Sequence, residues 1–338
     1  MLLDKYLIEN LDLLGMKIMK KAGLNSTPHN LKQLYCFFET LKNEAEIKNS
    51  PSANMIYQIL YSFVSSEDVR DRHTSPREFE DIFCSLFGTS CSDDKNRENP
   101  KPTDGILKYD IFTIEEDWNI SSDLCGNKRE KADASINGYN ISLKTLKGKN
   151  YDEFGKIINR SVNNELNVGS FSFRALFKGI LTDAELSKLG DRKSGLGSKK
   201  QIRDNVLIPI KQHKKTEAFL QRLKLFLSYV YEEDLVIVIK SNYLTDIYFI
   251  PNETFINVLY LLYKEKEDKF EEVWYRWENN NLRINLSKLF EYIKFFQLPY
   301  KKITLNLYSF KKIEKINNFN HILSNNIKNE INNLISDI

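Results

Sequence analysis

The chain has 338 residues, 41% of them hydrophobic and 28% charged, which suits one globular domain with additions and excludes a disordered chain. Its longest aliphatic run, Leu235–Ile239, is far short of a membrane span. Met1 is followed by Leu-Leu-Asp-Lys rather than by a basic stretch and an apolar core, so no signal peptide is expected.

The net charge of +3 excludes nothing alone, but eleven Lys/Arg stand against three acids from Lys188 to Lys224. Such a segment can face phosphate, or simply be a solvated surface. The four cysteines have no CxxC spacing and the four histidines lie far apart. A zinc site is therefore not expected, and free thiols fit a reducing cytoplasm.

In chain order, residues 1–70 read as a helical region. Tyr6, Leu7, Leu11, Leu13, Leu14 and Ile18 recur at helical intervals, and Leu31–Leu41 repeats the pattern. Asn49-Ser50-Pro51-Ser52 marks a turn before a helix near Met55–Val64. SPREFEDIFCSLFG, residues 75–88, is a sharper signal. Ser75 suits the N-cap, Pro76 the first helical position and Glu78 the capping box. Phe79, Ile82, Phe83 and Leu86 make the buried stripe, Glu80 sits at its edge with Phe83, Cys84 and Phe87, and Gly88 ends the helix.

Residues 89–108 are loop-like and Tyr109–Ile114 is a candidate strand. KADASINGYNISLKTLKG, residues 131–148, reads as a hairpin around Asn137-Gly138, because a type I′ turn needs positive φ at both central positions. A helix is expected near Asp152–Leu166, and Phe171–Phe177 is ambiguous. GDRKSGLGSKK, residues 190–200, is a glycine-rich basic loop without P-loop spacing. A helix near Glu217–Tyr231 precedes a strand at Leu235–Lys240 and its partner at Asp246–Ile250. Beyond them come a strand near Ile303–Tyr308 and a last helix carrying Ile313, Ile316, Phe319, Leu323 and Ile327.

The hairpin register follows by counting outward from the turn. Ile136 pairs with Tyr139, Ser135 with Asn140, Ala134 with Ile141, Asp133 with Ser142, Ala132 with Leu143 and Lys131 with Lys144. Alternation puts Ala132, Ala134, Ile136, Tyr139, Ile141 and Leu143 on one apolar face. Asp133, Ser142 and Lys144 share the other. Directly opposed side chains start about 5 Å apart and diagonal ones about 7–8 Å, so the three converge on one patch. A solvated hairpin with a cross-strand charge pair has the same pattern. The patch also has the scale a phosphodiester hydrolase needs: a carboxylate to hold Mg²⁺, whose bound water becomes more acidic, beside a lysine that orients water or stabilises charge.

Asp133 followed by Ser142-Leu143-Lys144, with Glu80 on a preceding helix, resembles the D-x(n)-(D/E)-x-K pattern of the PD-(D/E)XK nuclease superfamily, and the chain looks most like its type II restriction endonucleases. The resemblance covers roughly residues 75–250. It departs at Ala132, where the motif name has proline, and at Ser142, where the second acid belongs.

The resemblance implies an α/β fold with a central mixed β-sheet flanked by helices. In that frame residues 1–70 form an N-terminal helical region and 71–250 the nuclease core. Residues 251–338 form a C-terminal α+β extension for DNA recognition or dimerisation. It implies Mg²⁺-dependent, sequence-specific cleavage of double-stranded DNA by a cytoplasmic homodimer. Asp133 would bind metal, Lys144 activate water, Ser142 hold a metal-bound water and Glu80 support the site. Glu153, Asp152 or Glu80 could supply the missing carboxylate, with Glu130 a weaker candidate. Without such an acid one metal is the simpler expectation. Arg192, Lys193, Lys199, Lys200 and Arg203 are candidates for DNA contact, although a plain surface loop fits them equally. A repair, nicking or modification-dependent nuclease of the same fold remains open, as does a non-catalytic DNA-binding protein.

Overall fold

Apolar spacing organises the amino-terminal part into helices. The computed structural model describes residues 11–65, 74–89, 134–147, 177, 179–188, 199–230, 233–241, 244–278 and 281–307. Helix α1 (Leu11–Lys21) buries Leu11, Leu14, Ile18 and Met19. Helix α2 (Leu31–Glu46) is capped by Asn30, whose side chain accepts the Gln33 N–H at 3.0 Å. Helix α3 (Pro51–Ser65) opens on proline, where the missing N–H costs nothing.

Helix α4 (Thr74–Leu86) buries the predicted stripe of Phe79, Ile82, Phe83 and Leu86. It begins at Thr74, so Ser75 lies in the first turn rather than before it. It ends as the sequence indicates. Gly88 has φ +64, its N–H donates to Ser85 O, and the Thr89 N–H donates to Cys84 O, each at 3.1 Å. That double bond pattern around a left-handed residue satisfies the last carbonyls of the helix. Helix α1 crosses α4 at Gly15, where a Cβ would lie 1.9 Å from the Leu86 carbonyl oxygen.

Strands β1 (Ala134–Ile136) and β2 (Tyr139–Lys147) form the hairpin in the counted register, Ala134 to Ile141, Ser135 to Asn140 and Ile136 to Tyr139. Asn137 and Gly138 take φ +48 and +81, as a type I′ turn requires. The crossover that follows carries α5 (Asp183–Lys188) and α6 (Lys199–Ile202). A π turn (Arg203–Leu207), α7 (Ile208–Gln212) and α8 (Thr216–Val230) complete it. It delivers β3 (Asp234–Ser241) parallel to β2. Strand β4 (Leu244–Ile250) returns antiparallel to β3, in the pairing expected from sequence.

Helices α9 (Asn252–Glu265) and α10 (Phe270–Val273) then lead to a separate ribbon of β5 (Trp274–Glu278) and β6 (Asn281–Ile284). After α11 (Leu286–Phe295), strand β7 (Lys301–Asn306) pairs antiparallel with β4. The result is a five-stranded mixed sheet in the order β1-β2-β3-β4-β7, an α/β architecture.

Helices cover both faces. On one face Ala134, Ile136, Ile141, Leu143, Val236, Val238, Ile247, Phe249, Ile303 and Leu305 pack against α1 to α4. On the other, Leu235, Ile237, Ile239, Tyr248 and Ile250 pack against α8, α9 and α11. The sequence boundary at 250 therefore falls between two paired strands, since β7 joins the sheet of β3 and β4. Glu46 of α2 ties the first helices to that edge. Its Oε1 accepts the Tyr57 hydroxyl at 2.9 Å and the Asn306 N–H at 2.8 Å.

The expectation of free thiols is corrected at Cys84, which is disulfide-bonded. Such pairing is set by how closely chain segments approach in space, which spacing along the sequence does not report. Cys36 is free. Among the described residues no helix is long and apolar enough to cross a membrane. The strand expected at 109–114, the helix at 152–166, the basic loop up to 198 and the last helix lie outside the described residues.

Candidate active site on the polar face of the hairpin

Strand β2 is the frame of the site. Tyr139, Ile141 and Leu143 point to the face covered by α1 to α4, where Ile141 and Leu143 are buried. Asn140, Ser142 and Lys144 take the opposite face and are half-buried. The parallel register confirms the assignment, because Ser142 pairs with Leu235 and Lys144 with Ile237, both in the second core. Ser135 pairs with Asn140 across the hairpin and shares its face. Helix α4 holds the hairpin from behind, and Thr89 Oγ1 donates to the Ser135 carbonyl at 2.9 Å.

Glu80 is half-buried on α4. That helix packs on the apolar face, so Glu80 and Lys144 belong to different faces of the sheet and can meet only around its margin. Asp133, Glu153, Asp152 and Glu130 lie outside the described residues, as do Arg192 and Lys193. Lys199 and Lys200 begin α6, and Lys200 is exposed. Arg203 is engaged by a buried acid. Its Nε donates to Glu271 Oε1 at 2.7 Å, and a terminal nitrogen reaches the same oxygen. Glu271 is 1% exposed, so its pairing with Arg203 compensates a carboxylate taken out of water.

Two residues on or beside the polar face carry signals that sequence reasoning did not use. The Asn140 Oδ1 is buried and finds no hydrogen-bond donor among the described residues. Glu233, at the bend leading into β3, is 8% exposed. Continuing the β2–β3 register by one residue sets Glu233 beside Asn140. Its neighbour Asp234 is spent elsewhere. The Asp234 Oδ2 accepts the Tyr139 hydroxyl at 2.7 Å, and Oδ1 accepts the Asn252 N–H that opens α9 at 2.9 Å. Burial first, then the Asp234 charge, push the Tyr139 hydroxyl far above its ordinary pKa, so it stays a donor.

Alternation along β2 could have found Asn140, since it precedes Ser142 by two. Glu233 could not be found that way, because its place depends on which strand lies parallel to β2.

The side-chain donors around this face are oxygens from Ser135, Asn140, Ser142 and Glu233, a set that suits a hard cation such as Mg²⁺ rather than zinc. Among the described residues no group of three or more His, Cys, Asp or Glu is arranged to hold a metal ion. Mg²⁺ keeps several waters and needs only one or two protein carboxylates, so such a group is not required. No family model, no curated protein and no solved structure matches this chain.

Proposed function

We propose that the chain is a Mg²⁺-dependent type II restriction endonuclease. It makes sequence-specific double-strand cuts in DNA by phosphodiester hydrolysis, as a homodimer. The observation that carries the reading is the arrangement around β2. A helix bearing Glu80 precedes a hairpin whose polar face holds Ser142 and Lys144, and a helical crossover then returns a parallel neighbour, β3.

In this reading Asp133 and a second carboxylate, Glu153 among the candidates, would hold the cation. When bound, Mg²⁺ makes its water more acidic and offsets charge building on the phosphate. Lys144 lies midway along a paired strand, which fixes its backbone, and its ammonium orients the attacking water or steadies the phosphate oxygens. Ser142 offers a hydroxyl that can donate to phosphate or accept from a bound water. Water adds to phosphorus and gives up a proton to solvent, one P–O ester bond breaks, and the departing oxygen takes a proton from solvent. Glu80, on the helix that covers the apolar face, would reach this site only around the margin of the sheet.

The exposed Lys200, Lys214 and Lys215 are available to phosphates in a way that Arg203, held by Glu271, and Lys211, paired with Glu267, are not. Two strands are cut at a symmetric site most simply by a two-fold dimer. Ser142 in place of an acid favours one rival, a DNA-binding protein without catalysis. Repair, nicking and modification-dependent nucleases of the same fold share the site and differ in substrate.

Digestion of plasmid and phage DNA by the purified chain, with Mg²⁺ and with EDTA, tests the reading. Discrete Mg²⁺-dependent fragments are expected. Tight DNA binding without cleavage of modified or unmodified DNA would favour the rival.

A further inference from the structure

We propose that the helix running from Lys199 to Gln212 reads DNA sequence in the major groove. One outward row, Gln201, Asp204, Ile208 and Gln212, meets the base edges, and lysines at the two ends meet the phosphates. The inference rests on the reading of the chain as a sequence-specific DNA enzyme, and names the element that makes it specific.

Helix α6, the π turn and α7 form one continuous helix. Ile202, Leu207 and Ile208 keep right-handed helical angles across both joints, and the Ile208 N–H donates to Arg203 O. The wider turn comes just before Pro209, whose ring has no N–H to give and crowds the carbonyl one turn earlier. Ile202, Val206, Leu207 and Ile210 bury one side of the helix in the second core, which also takes Leu235 and Ile237, the partners of Ser142 and Lys144. The helix therefore stands on the same side of the sheet as the candidate site.

Gln201, Asp204, Ile208 and Gln212 are exposed. They follow one another at spacings of three, four and four, which sets them in one row along the outer side. What the row contains points to bases rather than to backbone. Residues 199–215 carry six Lys/Arg against one acid, Asp204, yet the row holds that acid and no cation. Phosphate contact alone would lose by Asp204. It would also gain nothing from Ile208, which leaves 41% of its surface to water. Base edges use all three types. Glutamine pairs with adenine N6 and N7, a carboxylate accepts from cytosine N4, and an apolar side chain meets the thymine methyl.

The available cations lie at the ends. Lys200 is exposed near the start, and Lys214 and Lys215 just past the finish, while Arg203 and Lys211 are paired with Glu271 and Glu267. Lys214 takes φ +56, the left-handed position after a helix that glycine occupies without strain, so a charge stands there despite a conformational cost. From residue 200 to 212 the helix runs about 18 Å, enough to cross a major groove about 12 Å wide. Cations that fix the register, beside a row that reads, are the division of labour of specific DNA contacts.

Selection from a pool of randomised DNA duplexes tests the proposal. The purified full chain is used in EDTA and again with Ca²⁺, a cation that oxygen ligands also hold, and the bound fraction is sequenced. The parent is compared with Gln212→Ala, Ile208→Ala and Lys214→Ala, all at exposed positions and each checked by its melting transition. The parent is expected to enrich a defined motif. Gln212→Ala and Ile208→Ala should each relax the preference at one or two positions by about fivefold or more. Lys214→Ala should weaken binding to all sequences alike and keep the motif. An unchanged motif in both row variants overturns the inference, as does uniform weakening without loss of preference, or no enriched motif for the parent in either condition. A changed sedimentation mass with the motif intact makes Ile208 a contact between copies of the chain and also overturns it. Cutting is scored separately. Discrete Mg²⁺-dependent fragments, from a parent whose motif the row variants leave intact, remove the helix and keep the nuclease reading. A motif that depends on the helix, in a chain that never cuts DNA, keeps the helix and removes that reading.

Discussion

Glu44 illustrates how single residues hold the platform beneath the site. It is 4% exposed on α2. Lys21 pairs with it, Lys48 lies at 2.8 Å, and the Lys21 ammonium also donates to Ser50 Oγ at 2.9 Å. The hydrogen bond from Lys21, then that from Lys48, hold the carboxyl below its ordinary value of 4.5. A depressed carboxyl stabilises the fold above its unfolded-state value, and that contribution is lost as pH falls through the folded value. Glu44→Gln is therefore expected to lower stability by about 1 kcal/mol at pH 7. The deficit should shrink as pH drops below the ordinary value of 4.5. Urea unfolding at both pH values checks this, and a deficit that persists in acid would mean the charge is not what matters.

The same scale shows what the sequence made legible. Ser142 and Lys144 share a face because strand alternation has period two, so counting from Asn137-Gly138 sufficed. Arg203 looked like one more free cation in a basic segment, and only the tertiary approach of α10 shows Glu271 against it. Glu233 was invisible for a related reason, since no local pattern announces a parallel neighbour.

At the scale of elements, two glycines carry tests of the architecture. Gly15 sits inside α1, where alanine alone would favour the helix by up to about 1 kcal/mol. A Cβ there would meet the Leu86 carbonyl oxygen at 1.9 Å, and backbone does not yield as a side chain does. Overpacking of that kind costs about 1–3 kcal/mol, so Gly15→Ala is expected to destabilise on balance by denaturant unfolding. A stabilised variant would mean that α1 does not cross α4 there.

Gly138 differs, because nothing lies within 4 Å of a Cβ at that position and its φ is +81. Gly138→Val should cost about 1–2 kcal/mol through the backbone alone, and the register of the polar face depends on that turn. Helices and hairpins were legible because their periodicity and turn residues are local. Their ends moved by a few residues, as at Thr74 for α4 and Lys301 for β7, where neighbouring packing rather than the cap residue decides the boundary.

For the whole molecule, the mixed sheet with helices on both faces was expected in kind but not in assembly. Strand order depends on long crossovers, and no periodicity shows that β7 returns from beyond residue 300 to pair with β4. The described elements from the three sequence segments build one sheet and its two covers, so the carboxy-terminal part is joined to the core by strand pairing. A two-fold assembly is expected in solution, with a sedimentation mass twice the 39.7 kDa of the chain. A monomer that still makes double-strand cuts would remove the symmetric model of cleavage.

The most direct measurement is Mg²⁺-dependent DNA digestion by the parent chain beside Asp133→Ala and Lys144→Ala, with folding verified by their melting transitions. Loss of at least a hundredfold in cutting rate is expected in both variants, since on the proposed reading Asp133 would hold the cation and Lys144 would act on the attacking water or the phosphate. Discrete fragments that persist at the parent rate in both folded variants would place the chemistry away from the hairpin and contradict the assignment of β2 as the floor of the active site.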